Sequence, residues 1–538
     1  MEAMQLSSLI EARLHADPAG TAFMQDGRRT TNQEFAALVD QATGWLRNRG
    51  IGRGDAVALW LLNSMEWIAL LMATARLGAI AIPINTRYRS EEVAYLLRAS
   101  GALLLLTHGK HPRLDALGIL ASVSPAAVPM LREVVLVNEA AAPATFACAW
   151  PLSAFEPRAD QAPGLLDGSD PREVAILFST SGTTKVPKLV MHPQRTLTEH
   201  ARFCAASLGL NQPDAVLLAM LPMCGVFGLN SVLAAMAGGA TVIIQDVFDA
   251  LQAADLMRSR RVTHAFGSDE MFRRLAECVS GERPFPDARF FGFGAFTSSF
   301  GLFARECVER GMPLHGLYGS SEVLALFSAQ PSSLKVEERL LGGGLPMAPA
   351  DTSIRVRDTA TGELLPAGAP GEVEIRAPGN FIGYFRNPEA TAAAMRDGYF
   401  RTGDLGYLRG DGTFVFVSRL GDAMRLGGHL VNPEEIEEVI KRQSGVEDAH
   451  VVAADIDGQP RPVAFVIQQP DTDFRPEAIV QELRQSVAGF KVPARVWTVD
   501  CFPQSSGPNG LKTSRVLLRK MAEERIAAEM DSGGGVSP

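Results

Sequence analysis

Short apolar runs recur through the first half of the chain, separated by stretches with a helical spacing of apolar positions. VALWLL (Val57–Leu62) reads as a buried strand, the segment after it as a helix, and AIAIPI (Ala79–Ile84) as a second strand. Ser90, as an N-cap, then opens a helix over EEVAYLLRAS, and ALLLLT follows as another strand. The alternation returns around VAILF (Val174–Phe178), VLLAMLP and TVIIQD, and strands alternating with helices predict parallel α/β layers. The most apolar stretch, Trp67 to Ile84, is broken by Arg76, Gly78 and Pro83. It predicts a buried helix running into a buried strand, with no transmembrane segment.

From about Asp351 the pattern shifts to short strands and turns: SIRVRD, GEVEIRAPG and DGTFVFVSR, a β-rich unit closing a large domain. After Arg419, Asn432 as N-cap and Pro433 at the first helical position start a new helix, with Ile436, Val439 and Ile440 on its apolar face. VAFVIQ, a helix from Pro476 and a strand at Val496–Val499 complete a small α+β domain. The expected division is a large domain at 1–421, a small one at 422–525 and a disordered tail at 526–538. In GSDEMFRRL, Ser268 reads as a helix N-cap followed by acidic first-turn residues.

Composition narrows the class. Of 538 residues, 46% are hydrophobic and 21% charged, as in globular domains, and the net charge of −9 excludes a basic nucleic-acid surface. The six cysteines are scattered without a CxxC pair, which predicts reduced thiols in a cytoplasmic protein. The N-terminal stretch lacks a basic segment followed by an apolar core, so no secretory signal is expected.

The sharpest chemical feature is AILFSTSGTTKVPKLVMH, residues 175–192. A buried strand runs into Thr180, Ser181, Gly182, Thr183 and Thr184, then Pro187 and Lys188. Hydroxyls and backbone N–H groups around a glycine can surround phosphate oxygens, and lysine adds charge. Such a loop is often an ordinary turn, and it is not a Walker A loop, since GxxxxGK[ST] is absent.

This stretch resembles the phosphate-binding signature of the adenylate-forming superfamily, the acyl- and aryl-CoA synthetases, adenylation domains and luciferases. The family pattern TSGTTGxPK reads TSGTTKVPK here, with Lys185 in place of glycine. Five further segments match in order: LPMCGVFGLN (Leu221–Asn230), FGFGAF (Phe291–Phe296), LYGSSE (Leu317–Glu322), YFRTGDLGY (Tyr399–Tyr407) with the following FVSRLGDAMRLGGHLVNPEEIE, and SSGPNGLKTSRVLLR near the end. The resemblance implies an α/β fold: a large N-terminal domain of two α/β sheet layers with a β-rich subdomain, and a small mobile α+β C-terminal domain. It also implies an ATP-dependent carboxylic acid:CoA ligase that forms an acyl-adenylate and then a thioester, with ATP, Mg2+ and coenzyme A.

Residue by residue, the resemblance makes Lys512 the mobile catalytic lysine bridging the acid and the α-phosphate, and Lys188 a second catalytic cation. Without it, Lys512 is a solvated lysine in a Gly/Pro loop. Glu322, otherwise a cap carboxylate, becomes the Mg2+ contact with help from Thr184. Tyr318, Gly294 and Ala295 surround adenine, with Gly319, Ser320 and Ser321 alongside. Asp404 and Arg419 reach the ribose; read alone they are a turn aspartate and a surface ion-pair arginine. Asp422 falls at the hinge, and Gly427 and Gly428 at the pantetheine passage. His192 is a partly buried hydrogen-bonding residue with no catalytic assignment.

The acid pocket maps to Met223, Gly225, Val226, Phe227 and Phe293. Gly225 stands where the family commonly has His or an aromatic, which widens the space. LPMCGVFGLN holds no Lys or Arg to pair a second carboxylate, so the expected substrate is an apolar monocarboxylic acid, cyclic, aromatic or medium-chain. CoA is the favoured acceptor because no carrier domain is fused. A carrier protein as acceptor, a degenerate non-adenylating paralogue and a homodimeric assembly stay open.

Overall fold

Each apolar run of the first half forms a strand. A computed structural model describes residues 4–109, 111–137, 149–161, 168–180, 187–294, 300–426, 429–456, 459–470, 472, 475–486, 488–507 and 510–532. The chain divides into two compact units: Met1–Gly294, Cys307–Ser353 and Ile375–Phe400 in the first, and Ala295–Glu306, Ile354–Glu374 and Arg401–Pro538 in the second. The β-rich stretches 354–374 and 401–421 therefore cluster with the C-terminal segment, where a boundary at 421/422 would have left them in the large domain.

The first unit contains two sheets. One runs Leu152–Ala154, Glu133–Val137, Ala102–His108, Ala56–Trp60, Ile80–Pro83, Val174–Ser179, Leu189–Pro193; its pairs are parallel except the last. The other runs Gly343–Pro346, Ser328–Ala329, Leu314–Tyr318, Phe290–Gly294, His264–Ser268, Val216–Ala219, Thr241–Ile244, Thr21–Gln25, Arg28–Thr31. It is parallel from Leu314–Tyr318 to Thr21–Gln25. Both sheets are the α/β layers the alternation predicts. In such sheets, the loops leaving the carboxyl ends of parallel strands build the ligand sites.

Helix starts follow local chemistry. Ser268 accepts from Met271 N at 3.2 Å and caps the helix Asp269–Glu277, as expected. Ser90 is corrected by one position. It is the first residue of the helix Ser90–Ser100, and the cap is Arg89, whose N–H is taken by the Glu92 carboxylate at 2.9 Å.

In the second unit, the strand Val446–Ile456 pairs with Gln459–Gln468, and that strand with Arg495–Thr498. Alternate residues serve two cores. Ala449, Val451, Ala464 and Val466 pack with Ile436, Ile440, Ile479 and Leu483. Val452, Ala454, Val463 and Phe465 pack with Leu518 and Ala522, so a period-two strand is buried on both faces. The disordered tail expected from residue 526 is corrected by the helix Arg515–Ser532. Ile526 packs on the second core, and the Glu529 carboxylate accepts from Arg495 Nε (2.8 Å) and Trp497 Nε1 (3.2 Å), so the chain stays helical through Ser532. Residues 533–538 lie outside the described residues.

Candidate active site

The phosphate-loop strand Val174–Ser179 delivers Thr180 at its carboxyl end. The two ends of the loop are tied together: Thr180 N donates to Lys188 O at 2.9 Å, and Lys188 N donates to Thr180 Oγ1 at 3.2 Å. Tyr95 Oη donates to Pro187 O at 2.8 Å, tying the exit to the helix Ser90–Ser100. Ser181, Gly182, Thr183, Thr184 and Lys185 lie outside the described residues.

Lys188 immediately precedes the return strand Leu189–Pro193, and the segment 382–385 runs beside that strand. Ile382 N donates to Met191 O at 3.1 Å, Met191 N to Gly383 O at 3.0 Å, and Phe385 N to Leu189 O at 2.8 Å. This backbone pairing sets the buried Tyr384 ring under Lys188, whose Nζ lies 4.8 Å from the ring centroid. The Tyr384 hydroxyl donates to Glu322 Oε1 at 2.9 Å. A cation from the phosphate loop and a carboxylate from the other sheet's loop thus meet on one aromatic side chain. The sequence reading missed Tyr384, because an aromatic within NFIGYF looks like any core residue. Its only signal was its place beside the phosphate strand, which pairing alone reveals.

Glu322 sits in a tight turn, Ser321–Val323, after the strand Leu314–Tyr318. Leu324 (φ 59°) and Ala325 (φ 58°) are both left-handed, a cost that two non-glycine residues bear only when their surroundings hold them. Ala325 N donates to Ser320 O at 2.8 Å, and Phe381 N to Glu322 O at 2.7 Å. Gly319 permits the turn's closeness, since a Cβ there would lie 1.5 Å from Ala325 O. Behind the turn, His192 Nε2 donates to Ser321 O at 2.7 Å. Burial lowers the His192 pKa to about 3 against that bond's opposing effect, and lowers His200, bonded to the Leu324 backbone, to about 4. Both imidazoles are neutral braces. His192 hydrogen-bonds as the sequence reading expected, but it is fully buried rather than partly so.

Gly294 and Tyr318 end adjacent parallel strands, with Tyr318 buried edge-to-face against Phe327 at 6.2 Å. Ala295 lies outside the described residues. Met223, Phe227 and Phe293 are buried, and Met223 N donates to Asn63 Oδ1 at 2.7 Å. Gly225 is the N-cap of the helix Val226–Gly238, and Phe227 packs on Phe266 at 6.3 Å. Burial pushes the neighbouring Cys224 thiol up to about 11, so it is no nucleophile at neutral pH.

In the second unit, Asp404 and Arg419 face each other across two antiparallel strands, Arg419 Nε lying 3.0 Å from Asp404 Oδ1. Arg419 is half-exposed while Asp404 is buried, so the pair presents its cationic end to the surface. Asp422 follows in a turn and lies 3.7 Å from Arg519 Nη2. Gly427 and Gly428 lie outside the described residues. Lys512 falls on the strand Gly510–Thr513, paired opposite Ser505.

Three residues after Lys512, Arg515 makes a buried fork with Glu437: Nη1 to Oε1 at 2.5 Å and Nη2 to Oε2 at 3.0 Å, with Nη1 also donating to Val451 O at 2.8 Å. Burial raises the Glu437 pKa, but hydrogen bonds from His450 and Arg515 and the Arg515 charge outweigh it and hold the carboxyl down at about 2. The pair fixes the first turn of the terminal helix to the sheet, and with it the end of the Lys512 hairpin. Burial and the nearby Glu437 push Glu434 up to about 7, against the Arg515 charge.

Thr180 and Lys188 after the strand Val174–Ser179, and Glu322 after Leu314–Tyr318, set a hydroxyl, a cation and a carboxylate beyond the carboxyl ends of sheet strands, as in α/β enzymes, and the second unit carries a lysine hairpin. The family model for AMP-binding enzymes matches residues 10–385, and that for the AMP-binding enzyme C-terminal domain matches 435–507. The chain belongs to the AMP-binding enzyme family. It is 30% identical over 508 residues to the 2-succinylbenzoate–CoA ligase of Geobacillus kaustophilus, covering 93% of this chain and 96% of that protein. It is 29% identical to a 4-chlorobenzoate–CoA ligase of an Arthrobacter species, covering 95% and 94%. Among solved structures, ATP-bound MatB from Rhodopseudomonas palustris superposes with a TM-score of 0.80 at 24% identity, covering 97% of this chain and 99% of that one, which establishes a common fold. Among the described residues, no helix is long and apolar enough to cross a membrane.

Proposed function

We propose that the chain is an ATP-dependent carboxylic acid:CoA ligase of the AMP-forming kind, acting on an apolar monocarboxylic acid with an aromatic or other cyclic body. In the first half-reaction, a carboxylate oxygen attacks the α-phosphorus of ATP and pyrophosphate leaves. In the second, the CoA thiol attacks the acyl carbonyl, its proton is lost, and AMP leaves. The observation that carries the reading is the constellation of Lys188, Tyr384 and Glu322 beside the phosphate loop. An encounter of anions needs fixed positive charge where negative charge builds up, which is the part assigned to Lys188 on the phosphates and to Lys512 between carboxylate and α-phosphate.

Glu322 is the residue that would hold Mg2+, joined by Thr184. Its carboxylate is part-exposed, and no group of three or more metal-ligating side chains occurs among the described residues. That donor set fits an ion that takes most of its ligands from nucleotide phosphates and water. Bound there, Mg2+ would neutralise phosphate charge.

The ring preference rests on the apolar burial of Met223, Phe227 and Phe293 and on the benzoate ring of the acids named for two relatives; the single carboxylate rests on the absence of Lys and Arg from Leu221–Asn230 and on 4-chlorobenzoate, since 2-succinylbenzoate carries two carboxylates. Hydroxylamine trapping of the acyl-adenylate across benzoates, cyclic acids, straight-chain acids, dicarboxylates and amino acids tests it. Fastest trapping with ring-bearing monocarboxylates supports the proposal; fastest trapping with dicarboxylates or amino acids overturns it.

A further inference from the structure

Lys188 and Glu322 carry opposite charges toward one site, and two such groups left alone would pair and spend their charge on each other. Tyr384 stands between them. Its ring face carries the ammonium at 4.8 Å, and its hydroxyl donates to the carboxylate at 2.9 Å. A cation over an aromatic face is held by the ring quadrupole yet keeps its charge available to an anion. A carboxylate accepting one neutral O–H keeps its charge and its second oxygen. The Tyr384 ring is buried and locked by backbone pairing on both sides, by the Val190 bridge and by Tyr384 N donating to Thr391 Oγ1 at 2.9 Å.

We infer that Tyr384 is a positioning residue that keeps Lys188 and Glu322 apart and aims both at the metal–nucleotide complex. The inference rests on the ligase reading, in which those two groups meet ATP. The hydroxyl acts through Glu322 and the ring through Lys188, so the two functions separate chemically. Tyr384→Phe removes the hydrogen bond and keeps the platform; Tyr384→Leu removes both.

The test follows pyrophosphate release against Mg2+ and against ATP, and thioester formation from supplied acyl-adenylate in the same preparations. The second reaction counts folded enzyme and makes the ratio independent of yield. Tyr384→Phe is expected to raise the half-saturating Mg2+ by roughly tenfold, the low end for a hydrogen bond to a charged group, while the ATP requirement at saturating Mg2+ changes little. Replacement by 4-aminophenylalanine, which keeps a donor, restores much of the Mg2+ response. Tyr384→Leu raises the ATP requirement as well. Equal loss of both half-reactions in Tyr384→Phe, or an unchanged Mg2+ response, overturns the inference. Wild-type protein that releases no pyrophosphate with any acid overturns the ligase reading instead, so the two failures are distinct.

Discussion

Gly319→Ala is the smallest change that strikes the Glu322 turn. The added methyl would lie 1.5 Å from Ala325 O, 2.2 Å from its carbonyl carbon and 2.5 Å from its Cα, all backbone atoms that no rotamer change can move. Restoring ordinary contact, near 3.4 Å, opens the turn by about 2 Å. That displacement breaks the Ala325 N to Ser320 O bond and carries Glu322 away from Tyr384. A 1 Å misplacement of a reacting group costs about 10²-fold, or about 2.7 kcal/mol of transition-state stabilisation. Overpacking of this kind takes about 1–3 kcal/mol from stability, so the variant should still fold. The assay is acid-dependent ATP–pyrophosphate exchange, with thermal unfolding as control. The expected result is a fall in kcat/KM for adenylation of about 10² or more, with a much smaller fall in thioester formation from supplied acyl-adenylate. A folded variant with near-normal exchange would refute the claim that the turn geometry holds Glu322 for catalysis.

Other expectations follow from the same architecture. Lys512→Ala should lower adenylation by about 10²–10³ and leave thioester formation from acyl-adenylate much less affected, while a bulky residue at Gly428 should do the reverse; rapid-quench assays of each half-reaction check both, and equal losses would contradict the two-role assignment. Glu434, raised to about 7, favours folding most below its ordinary value of 4.5 and loses that contribution as pH rises through 7. Glu434→Gln should therefore raise the Tm more at pH 8 than at pH 5, and calorimetry at the two values checks it; an equal shift at both would refute it.

Much of this was readable before any coordinates, for physical reasons. The strands of the two sheets are continuous apolar runs because parallel strands are covered on both faces. The phosphate-loop segment, Glu322, Asp404 and Lys512 stand in short motifs whose residues are adjacent in sequence, so a linear reading can propose roles for them. Tyr384 was not legible, because its meaning lies in contacts to Lys188 and Glu322, each far away along the chain. The Glu437–Arg515 pair was hidden likewise: its partners are 78 residues apart, and on paper each is a charge on a solvated helix. Asp404 and Arg419 were read as two independent ribose contacts, and their cross-strand pairing depends on a register no motif states. The chain end was misjudged at residue 526 because composition shows glycines after Ser532 but not the anchoring of Glu529 by Arg495 and Trp497.

As a ligase of this kind, the single chain joins an acid to a thiol through an adenylate. The most direct test of that joining is pyrophosphate release from ATP and Mg2+ across a panel of carboxylic acids, with and without CoA. The expected result is acid-dependent release that becomes sustained turnover with CoA, accompanied by equal amounts of AMP and acyl-CoA. A single burst that CoA does not relieve would point to a carrier-protein acceptor and contradict the CoA assignment, and silence across the panel would contradict adenylation itself.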